Sequence, residues 1–511
     1  MFFALFGGLF YTLGLPGYGC LPCLFLGLLL FLYALEDKGP RQGFYTGFSF
    51  GMSHFFLLLW WLAPTINQYG RLPLPLTFPV VALLALYLSL YPALWACVYT
   101  YFLKKTPRIV LATLGGGLWG LTEWMRGTLF TGFPWGVLAS SLHDFPLLIQ
   151  LADLLSIYGI SSLLFLSVLL IWGFIIHLRN KSWKESLYLF LGFWTVFLGA
   201  VYYGKVKMNE YDVPPDICAV AVQGAVPQSI KWDPGVMEET LNKYFSLTKE
   251  GCFERDCDNK TRLVVWPETA VTTYYQDDSV VQERLQEFSR ENGVFLLFGS
   301  LSYEFSTPGS RPQYFNSAYL IGPNGDLLGR YDKRHLVPFG EYMPLGPFSE
   351  LAKHYLPTAG DFDTGVRGAA IRATDGLTVG ILICFESIFP GLARDAVNHG
   401  ANILAVMTND AWFGRTPAPY QHEAMSVFRA VETRRWVIRS ANTGVSSIIA
   451  PDGTRIETTE IFVPAVITAK VGLLTDKSPY VRYGDYGFFL FVLLLCVPVL
   501  PFTACRQGLT L

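Results

Sequence analysis

The stretch Val379-Gly380-Ile381-Leu382-Ile383-Cys384-Phe385-Glu386-Ser387 decides how this chain is read. An apolar run with strand character stops at a cysteine, and a carboxylate follows two residues later. A lone cysteine at the end of a strand is most often an inert core residue, so the stretch gains meaning only from its neighbours. Upstream, Val264-Val265-Trp266-Pro267-Glu268-Thr269 is a second apolar strand, stopped by a proline and followed at once by a carboxylate. Between them lies Tyr331-Asp332-Lys333-Arg334-His335-Leu336-Val337-Pro338-Phe339-Gly340-Glu341-Tyr342. There a polar hairpin, Pro323-Asn324-Gly325-Asp326, leads into Lys333 and then into an apolar loop broken by Pro and Gly. Strand ends are where α/β folds build their sites.

Short apolar runs and helical stretches alternate throughout this region, the pattern of a layered α/β or α+β domain. Strands are expected at Ile217–Gln223, Leu263–Trp266, Val294–Ser300, Tyr314–Ile321, Thr378–Cys384, Ile403–Thr408, Val437–Ala441 and Val445–Ala450. Helices are expected at Val236–Gly251, Val280–Asn292, Gly391–His399 and Gln421–Arg434.

Outside this region the chain changes character. Over 511 residues it is 52% hydrophobic and only 15% charged, with a mean hydropathy of +0.35. An average soluble domain is about 25% charged, so several membrane spans are expected. Long apolar stretches occur at Phe44–Leu62, Pro79–Leu103, Ile109–Trp124, Ile157–Leu178, Leu187–Tyr203 and Tyr486–Phe502, and about 20 such residues cross a bilayer. The first 34 residues, broken at Leu15-Pro16-Gly17, read as two short helices, which makes eight spans; one broken helix would make seven. The N-terminus has no basic region and does not read as a cleavable signal peptide.

Basic residues arbitrate orientation. Lys38 and Arg41, then Lys104, Lys105 and Arg108, then Arg179, Lys181 and Lys184, and finally Arg506 fall in alternate connections. Those connections are expected on the cytoplasmic side, with the Lys205–Tyr483 segment outside. The expected division is a seven-span helical domain over 1–204, an extramembrane domain over 205–483, and a last span with its tail over 484–511.

A net charge of −2 and the absence of any basic block argue against nucleic acid as a partner. The nine cysteines fit no zinc pattern. Cys20 and Cys23 sit in an apolar run and read as packing residues. Cys252 and Cys257 flank a polar segment and are placed to pair on an oxidising side of the membrane; two free thiols are the alternative. No His/Cys/carboxylate cluster has ligand spacing, so no metal is expected.

Glu268, Lys333 and Cys384, on successive strand ends, share a chemical logic. A thiol attacks an acyl carbonyl as a thiolate, a carboxylate can take its proton, and a fixed ammonium with a backbone N–H can hold the oxyanion. The Glu–Lys–Cys order, with W-P-E-T, Y-x-K-x-x-L-V-P-F-G-E-Y and I-C-F-E, resembles the nitrilase superfamily. The longer motifs and the span plan resemble its membrane-embedded branch, the apolipoprotein N-acyltransferases. Val222-Gln223-Gly224-Ala225-Val226-Pro227-Gln228, Lys231-Trp232-Asp233, Thr408-Asn409-Asp410-Ala411-Trp412-Phe413-Gly414, Gln421-His422, Ser440-Ala441-Asn442-Thr443-Gly444 and Thr131-Gly132-Phe133-Pro134-Trp135-Gly136 carry the same resemblance.

The resemblance implies an α-β-β-α sandwich and no cofactor. It implies a phospholipid acyl donor, a diacylglyceryl-cysteine apolipoprotein acceptor and a thioester intermediate. It also implies a bacterial inner-membrane location with the catalytic domain in the periplasm. Carried onto this sequence, Cys384 is the nucleophile, Glu268 the base and Lys333 the oxyanion stabiliser. Glu341 and Glu386 support the centre. Trp232 and Tyr342 lie on loops over the pocket, and Asn409 and Trp412 belong to the substrate side. Phe385 stands where the family often has Tyr, so a hydroxyl is lost while the ring and backbone N–H remain.

Leu336–Leu356 reads either as a lid touching lipid or as a loop packed on its own domain. Glu123 and Arg126, spaced i, i+3 at the end of a span, are placed to pair; the other reading is a headgroup site. His335 and His422 offer no convincing Cys–His dyad. Two rival functions use the same residues differently: a membrane-tethered amidase in which water resolves the thioester, and a transporter or receptor whose outer domain only binds. Charges within the spans are few, which counts against transport.

Overall fold

A computed structural model describes Met1–Ala504 except residues 71, 209, 211–213, 254–256, 258–260, 308, 345, 347–360, 367 and 375. The chain divides into two compact units. One comprises Met1–Asn67, Pro73–Glu210 and Tyr483–Leu511, the other Gln68–Leu72 and Tyr211–Arg482.

The first unit is helical. Its elements are α1 (Phe2–Leu13), α2 (Leu21–Leu35), α3 (Pro40–Leu58), α4 (Leu62–Gly70), α5 (Leu74–Phe102), α6 (Arg108–Thr128), α7 (Pro146–Ile149), α8 (Ala152–Arg179) and α9 (Trp183–Met208), with an apolar helix from Tyr486 near the C-terminus. The Leu15-Pro16-Gly17 break does separate two helices. Among the described residues three helices, α5, α8 and α9, are long and apolar enough to cross a membrane; α3 and α4 together make a fourth if their 52° bend lies within one span. Aromatic rings fill the interior: Phe31 stacks on Phe50 at 4.1 Å and Trp119 on Phe165 at 4.2 Å. Close helix approach depends on small residues. A Cβ on Gly47 of α3 would meet the Pro92 carbonyl of α5 at 2.4 Å.

Glu123 and Arg126 are both buried on α6, and among the described ion pairs none joins them. They hold the following loop instead. Arg126 Nη1 donates to the carbonyls of Phe133 (2.8 Å) and Trp135 (2.6 Å). Glu123 Oε1 accepts from the Leu138 N–H (2.8 Å) and Trp119 Nε1 (3.2 Å). Buried carbonyls of the Thr131–Gly136 loop need partners, and the arginine supplies donors to two of them.

The second unit is two six-stranded sheets face to face. One sheet holds β1 (Ile217–Gln223), β2 (Thr261–Val265), β3 (Val294–Phe305), β4 (Pro312–Ile321) and β5 (Leu327–Asp332). The other holds β6 (Ala370–Arg372), β7 (Thr378–Ile383), β8 (Ile403–Thr408), β9 (Val437–Ala441), β10 (Ser447–Ile449) and β11 (Arg455–Thr458). The last strand, β12 (Ala465–Val471), returns to the first sheet. The strand orders are β12-β1-β2-β3-β4-β5 and β11-β10-β9-β8-β7-β6. In each sheet three consecutive strands run parallel, β1-β2-β3 and β7-β8-β9, and antiparallel strands flank them. Parallel strands covered on both faces read as unbroken apolar runs. That is why β1 and β8 are buried at every residue.

Alternation along each strand sorts the side chains into two cores. Ala219, Ala221, Leu263 and Val265 face the other sheet, where they meet Val379, Ile381, Ile403 and Ala405. Cys218, Val220, Val264 and Trp266 face outward onto α10 (Met237–Phe253) and α11 (Ser279–Asn292), meeting Leu241, Tyr244, Leu285 and Phe288. On the second sheet α12 (Pro390–Asn398) and α13 (Ala418–Thr433) cover the outer face. The layers are therefore α-β-β-α.

Cys257 forms a disulfide with Cys218 of β1, and Cys252 is a free buried thiol. Neither reading left open for Cys252 and Cys257, a bond to each other or two free thiols, describes the pair. β1 directs Cys218 into the helix-facing core, where it meets the chain after α10.

Candidate active site

The carboxyl ends of β2, β7 and β8, together with the end of β5, bring four polar groups to one buried place. Glu268 follows β2 across Trp266-Pro267. Its Oε1 accepts from Asn316 Nδ2 at 2.7 Å and its Oε2 from the Asn409 N–H at 2.9 Å. Lys333 follows β5 and is 1% exposed. Its Nζ donates to Glu341 Oε1 at 2.8 Å and lies 3.7 Å from Glu268 Oε1. Asn316 Nδ2 also reaches Glu341 at 3.2 Å, so one amide tethers both carboxylates. Glu341 Oε2 accepts from the Val337 N–H at 2.8 Å, which anchors the start of the loop that carries it.

The turn bearing Glu268 fits because β3 has a glycine beneath it. A Cβ on Gly299 would meet the Thr269 nitrogen at 2.4 Å and the Glu268 Cα at 2.9 Å. Thr269 takes a positive φ of 48°, and Cys384, at the end of β7, takes one of 53°. A left-handed backbone is uncommon for a side chain with Cβ, and rarer still for a β-branched one. Strain of this kind costs of order 1–3 kcal/mol and persists only where surroundings impose it.

Three groups hold the cysteine turn. Glu386 is fully buried. Its Oε1 accepts from the N–H groups of Arg334 (2.7 Å) and His335 (3.1 Å), its Oε2 from that of Ile383 (2.7 Å), and the Tyr331 hydroxyl bonds both oxygens. It thus ties the end of β7 to the segment after β5. The Ser387 hydroxyl donates to the Cys384 carbonyl at 2.9 Å, and His422 Nε2 lies 3.1 Å from that same oxygen. His422 is buried, its Nδ1 is 2.9 Å from Asp410, and Arg439 donates to Asp410 at 2.9 Å. The histidine therefore meets the main chain of the cysteine.

The electrostatics follow from burial. Burial first, then the Glu268 charge, push the Cys384 thiol well above its ordinary value, with Lys333 opposing. Burial would push the Lys333 ammonium down, but the charges of Glu341, Glu268 and Cys384 outweigh it and hold the group above an ordinary lysine. Asp410 is held at about 2: burial alone would raise it, and the charges of His422 and Arg439 outweigh burial. Such a centre keeps a protonated thiol, a fixed cation and a carboxylate together, and can move one proton as the sulfur attacks.

Of the remaining residues expected at the site, Asn409 is buried and bonds Glu268, Gln228 and Asn442. Phe385 is buried beside Phe389, with ring centroids 5.1 Å apart. Trp232 is 45% exposed in a turn, and Trp412 is 37% exposed in the 3-10 turn Asp410–Phe413. Tyr342 is half-buried, and its carbonyl accepts from the Phe339 N–H at 2.8 Å. Residues 345 and 347–356 of the expected lid lie outside the described residues. Sequence reasoning missed Asn316, a polar residue in mid-strand, and gave the inward-facing Lys231 no role. It also missed the bond from His422 to the cysteine turn.

Residues 221–474 match the carbon-nitrogen hydrolase family, and residues 7–170 match the apolipoprotein N-acyltransferase N-terminal domain. The apolipoprotein N-acyltransferase of Geobacter metallireducens is 36% identical over 488 residues, covering 94% of this chain and 91% of that protein. The chain belongs to the apolipoprotein N-acyltransferase family. Members from Nitrosomonas europaea and Methylococcus capsulatus are 32% and 31% identical, covering 96% and 95% of this chain and 94% and 93% of those proteins. Among solved structures, a nitrilase-superfamily amidase from Nesterenkonia AN1 aligns with 53% of this chain and 95% of its own, at 17% identity and a TM-score of 0.39. The paired N-terminal and carbon-nitrogen hydrolase matches make this member of the apolipoprotein N-acyltransferase family an acyltransferase enzyme.

Proposed function

We propose that this enzyme takes an acyl chain from the sn-1 position of a membrane phospholipid and transfers it to the free α-amino group of a diacylglyceryl-cysteine apolipoprotein. The observation that carries this reading is the buried centre in which Glu268, Lys333 and Glu341 are tethered by Asn316 beside the strained turn of Cys384. In the first half-reaction the Cys384 sulfur attacks the ester carbonyl while Glu268 accepts the thiol proton. Lys333 and the Phe385 N–H, at the start of the turn after β7, stabilise the oxyanion. Collapse breaks the ester bond, and Glu268 returns the proton to the departing lysophospholipid hydroxyl. In the second, the neutral acceptor amine attacks the thioester, Glu268 takes its proton, and the cysteine sulfur leaves to regain it. The products are an amide and free thiol. Glu341 and Glu386 position the lysine and the cysteine; Trp232, Tyr342, Asn409 and Trp412 belong to the substrate side.

The same reading puts eight spans in the membrane: α1, α2, the bent pair α3 and α4, α5, α6, α8, α9 and the helix from Tyr486, divided as 1–204, 205–483 and 484–511. Apolar side chains turned outward support it. On α9, Leu187, Leu191 and Leu198 are more than half exposed, as lipid-facing residues would be. Placement of the catalytic domain in the periplasm, on the outer side of the inner membrane, accords with the Cys218–Cys257 disulfide, since such bonds persist in oxidising compartments.

The test is intact mass after exposure to phospholipid vesicles. Wild type should gain one acyl mass that hydroxylamine or a diacylglyceryl-cysteine peptide removes, and Cys384→Ala should gain none. Free fatty acid in place of N-acyl peptide would point to hydrolysis; no adduct on wild type would defeat the thioester route.

A further inference from the structure

The loop Pro227–Asp233 turns its residues the wrong way round. Ile230 and Trp232 are 42% and 45% exposed, while the lysine between them is 3% exposed. A lysine is almost never fully buried unless its charge is answered. Among the described ion pairs Lys231 has no carboxylate partner. Its Nζ instead donates to the main-chain carbonyl of Glu268 at 3.0 Å and to the hydroxyl of Thr269 at 2.8 Å. Those two acceptors flank the peptide link into Thr269, the β-branched residue held at φ 48°.

We propose that Lys231 is a positioning residue of the centre. Its ammonium pins the strained Glu268–Thr269 turn from both sides and so aims the Glu268 carboxylate, while adding a second positive charge near the Cys384 sulfur. This rests on the acyl-transfer reading above and extends it to a residue that would not touch the reacting atoms.

Three observations agree. Without an imposed contact, a β-branched residue leaves the left-handed region, and Lys231 bonds the two groups whose relative orientation that φ sets. Burial lowers the ammonium to about 8, against which the charges of Glu268 and Cys384 act, so those two groups are its electrostatic neighbours. Lys333 engages the carboxylate end of Glu268 and Lys231 its main-chain end. The base is thus gripped at both ends by different cations.

The experiment measures acyl-enzyme formation by rapid quench and intact mass, in full-length protein with phosphatidylethanolamine vesicles, for wild type, Lys231→Met, Lys231→Arg, Thr269→Val and the double variant Lys231→Met/Thr269→Val. A misaimed general base slows the chemical step and leaves donor binding alone. Lys231→Met should therefore lose about tenfold to a hundredfold in the saturating rate, with the half-saturating phospholipid concentration unchanged. Lys231→Arg, which keeps charge and donors, should recover much of the loss. Thr269→Val keeps the side-chain shape and removes one acceptor; it should lose several-fold, and add nothing to Lys231→Met. If the methionine variant fails to fold, Thr269→Val carries the test alone. Wild-type rates in the folded variants, or a loss confined to half-saturation, overturn the proposal. No adduct on wild type itself defeats the acyl-transfer reading and is distinguished by that.

Discussion

Replacing Glu386 by glutamine isolates what its buried carboxylate does. Three main-chain N–H groups, of Ile383, Arg334 and His335, converge on it with the Tyr331 hydroxyl. A carboxylate accepts from all of them. A glutamine cannot, because its NH2 end must face at least one main-chain N–H. The cheaper orientation sacrifices Ile383 and keeps the two bonds to Arg334 and His335. A bond to a charged group is worth ~1.5–3 kcal/mol, and a buried donor left unanswered sets the upper part of that range. Relief requires Ile383 to move, and Cys384 is the next residue. If ~3 kcal/mol appears in the barrier, the rate falls about a hundredfold. The assay is the intact-mass time course of acyl-enzyme formation, with thermal unfolding in the same detergent. A lower midpoint and a rate down by about two decades are expected. Burial raises the proton affinity of this carboxyl, opposed by the Ile383 N–H and the Lys333 charge. The gap between wild type and variant should therefore narrow as the pH falls and Glu386 takes up its proton. An unchanged midpoint together with an unchanged rate would refute the claim that this carboxylate sets the cysteine turn.

Lys333→Met removes the proposed oxyanion cation and should slow acyl-enzyme formation by about 10²–10³-fold; a loss under threefold in quenched time courses would remove it from that role. Asp410→Asn leaves the fully buried Arg439 without its counter-charge and should cost ~3–5 kcal/mol. Because Asp410 is held at about 2, its stabilisation is present above the ordinary aspartate range and lost as the pH falls through about 2. The variant's melting should lack that acid limb, and an unchanged limb would contradict the pairing. Breaking the Cys218–Cys257 bond, which closes a separation of 39 residues, should destabilise by up to ~4 kcal/mol on the chain-entropy account. Melting with and without reductant checks this: wild type should shift and Cys218→Ala/Cys257→Ala should not.

The sequence by itself determined the elements whose burial is uniform. β1 and β8 end where their apolar runs end, since a strand covered on both faces is apolar almost throughout. It also marked Glu268, Lys333 and Cys384 as candidates, because they stand on successive strand ends in an order with a chemical logic. Only the tertiary structure decided the rest. β11 alternates half-exposed and exposed residues at a sheet edge, and β6 is three residues long, so neither carries a period to read. Asn316 looks like a polar interruption of β4 until the sheets pack and set its amide between two carboxylates. Cys218 reads as one more core residue of β1, and its partner is set by which face of the strand meets the chain after α10. Lys231 sits beside an exposed tryptophan in a polar loop, and it turns inward to a carbonyl and a hydroxyl 37 and 38 residues away. Periodicity reports the average environment of a segment; a single contact between distant segments leaves no period behind.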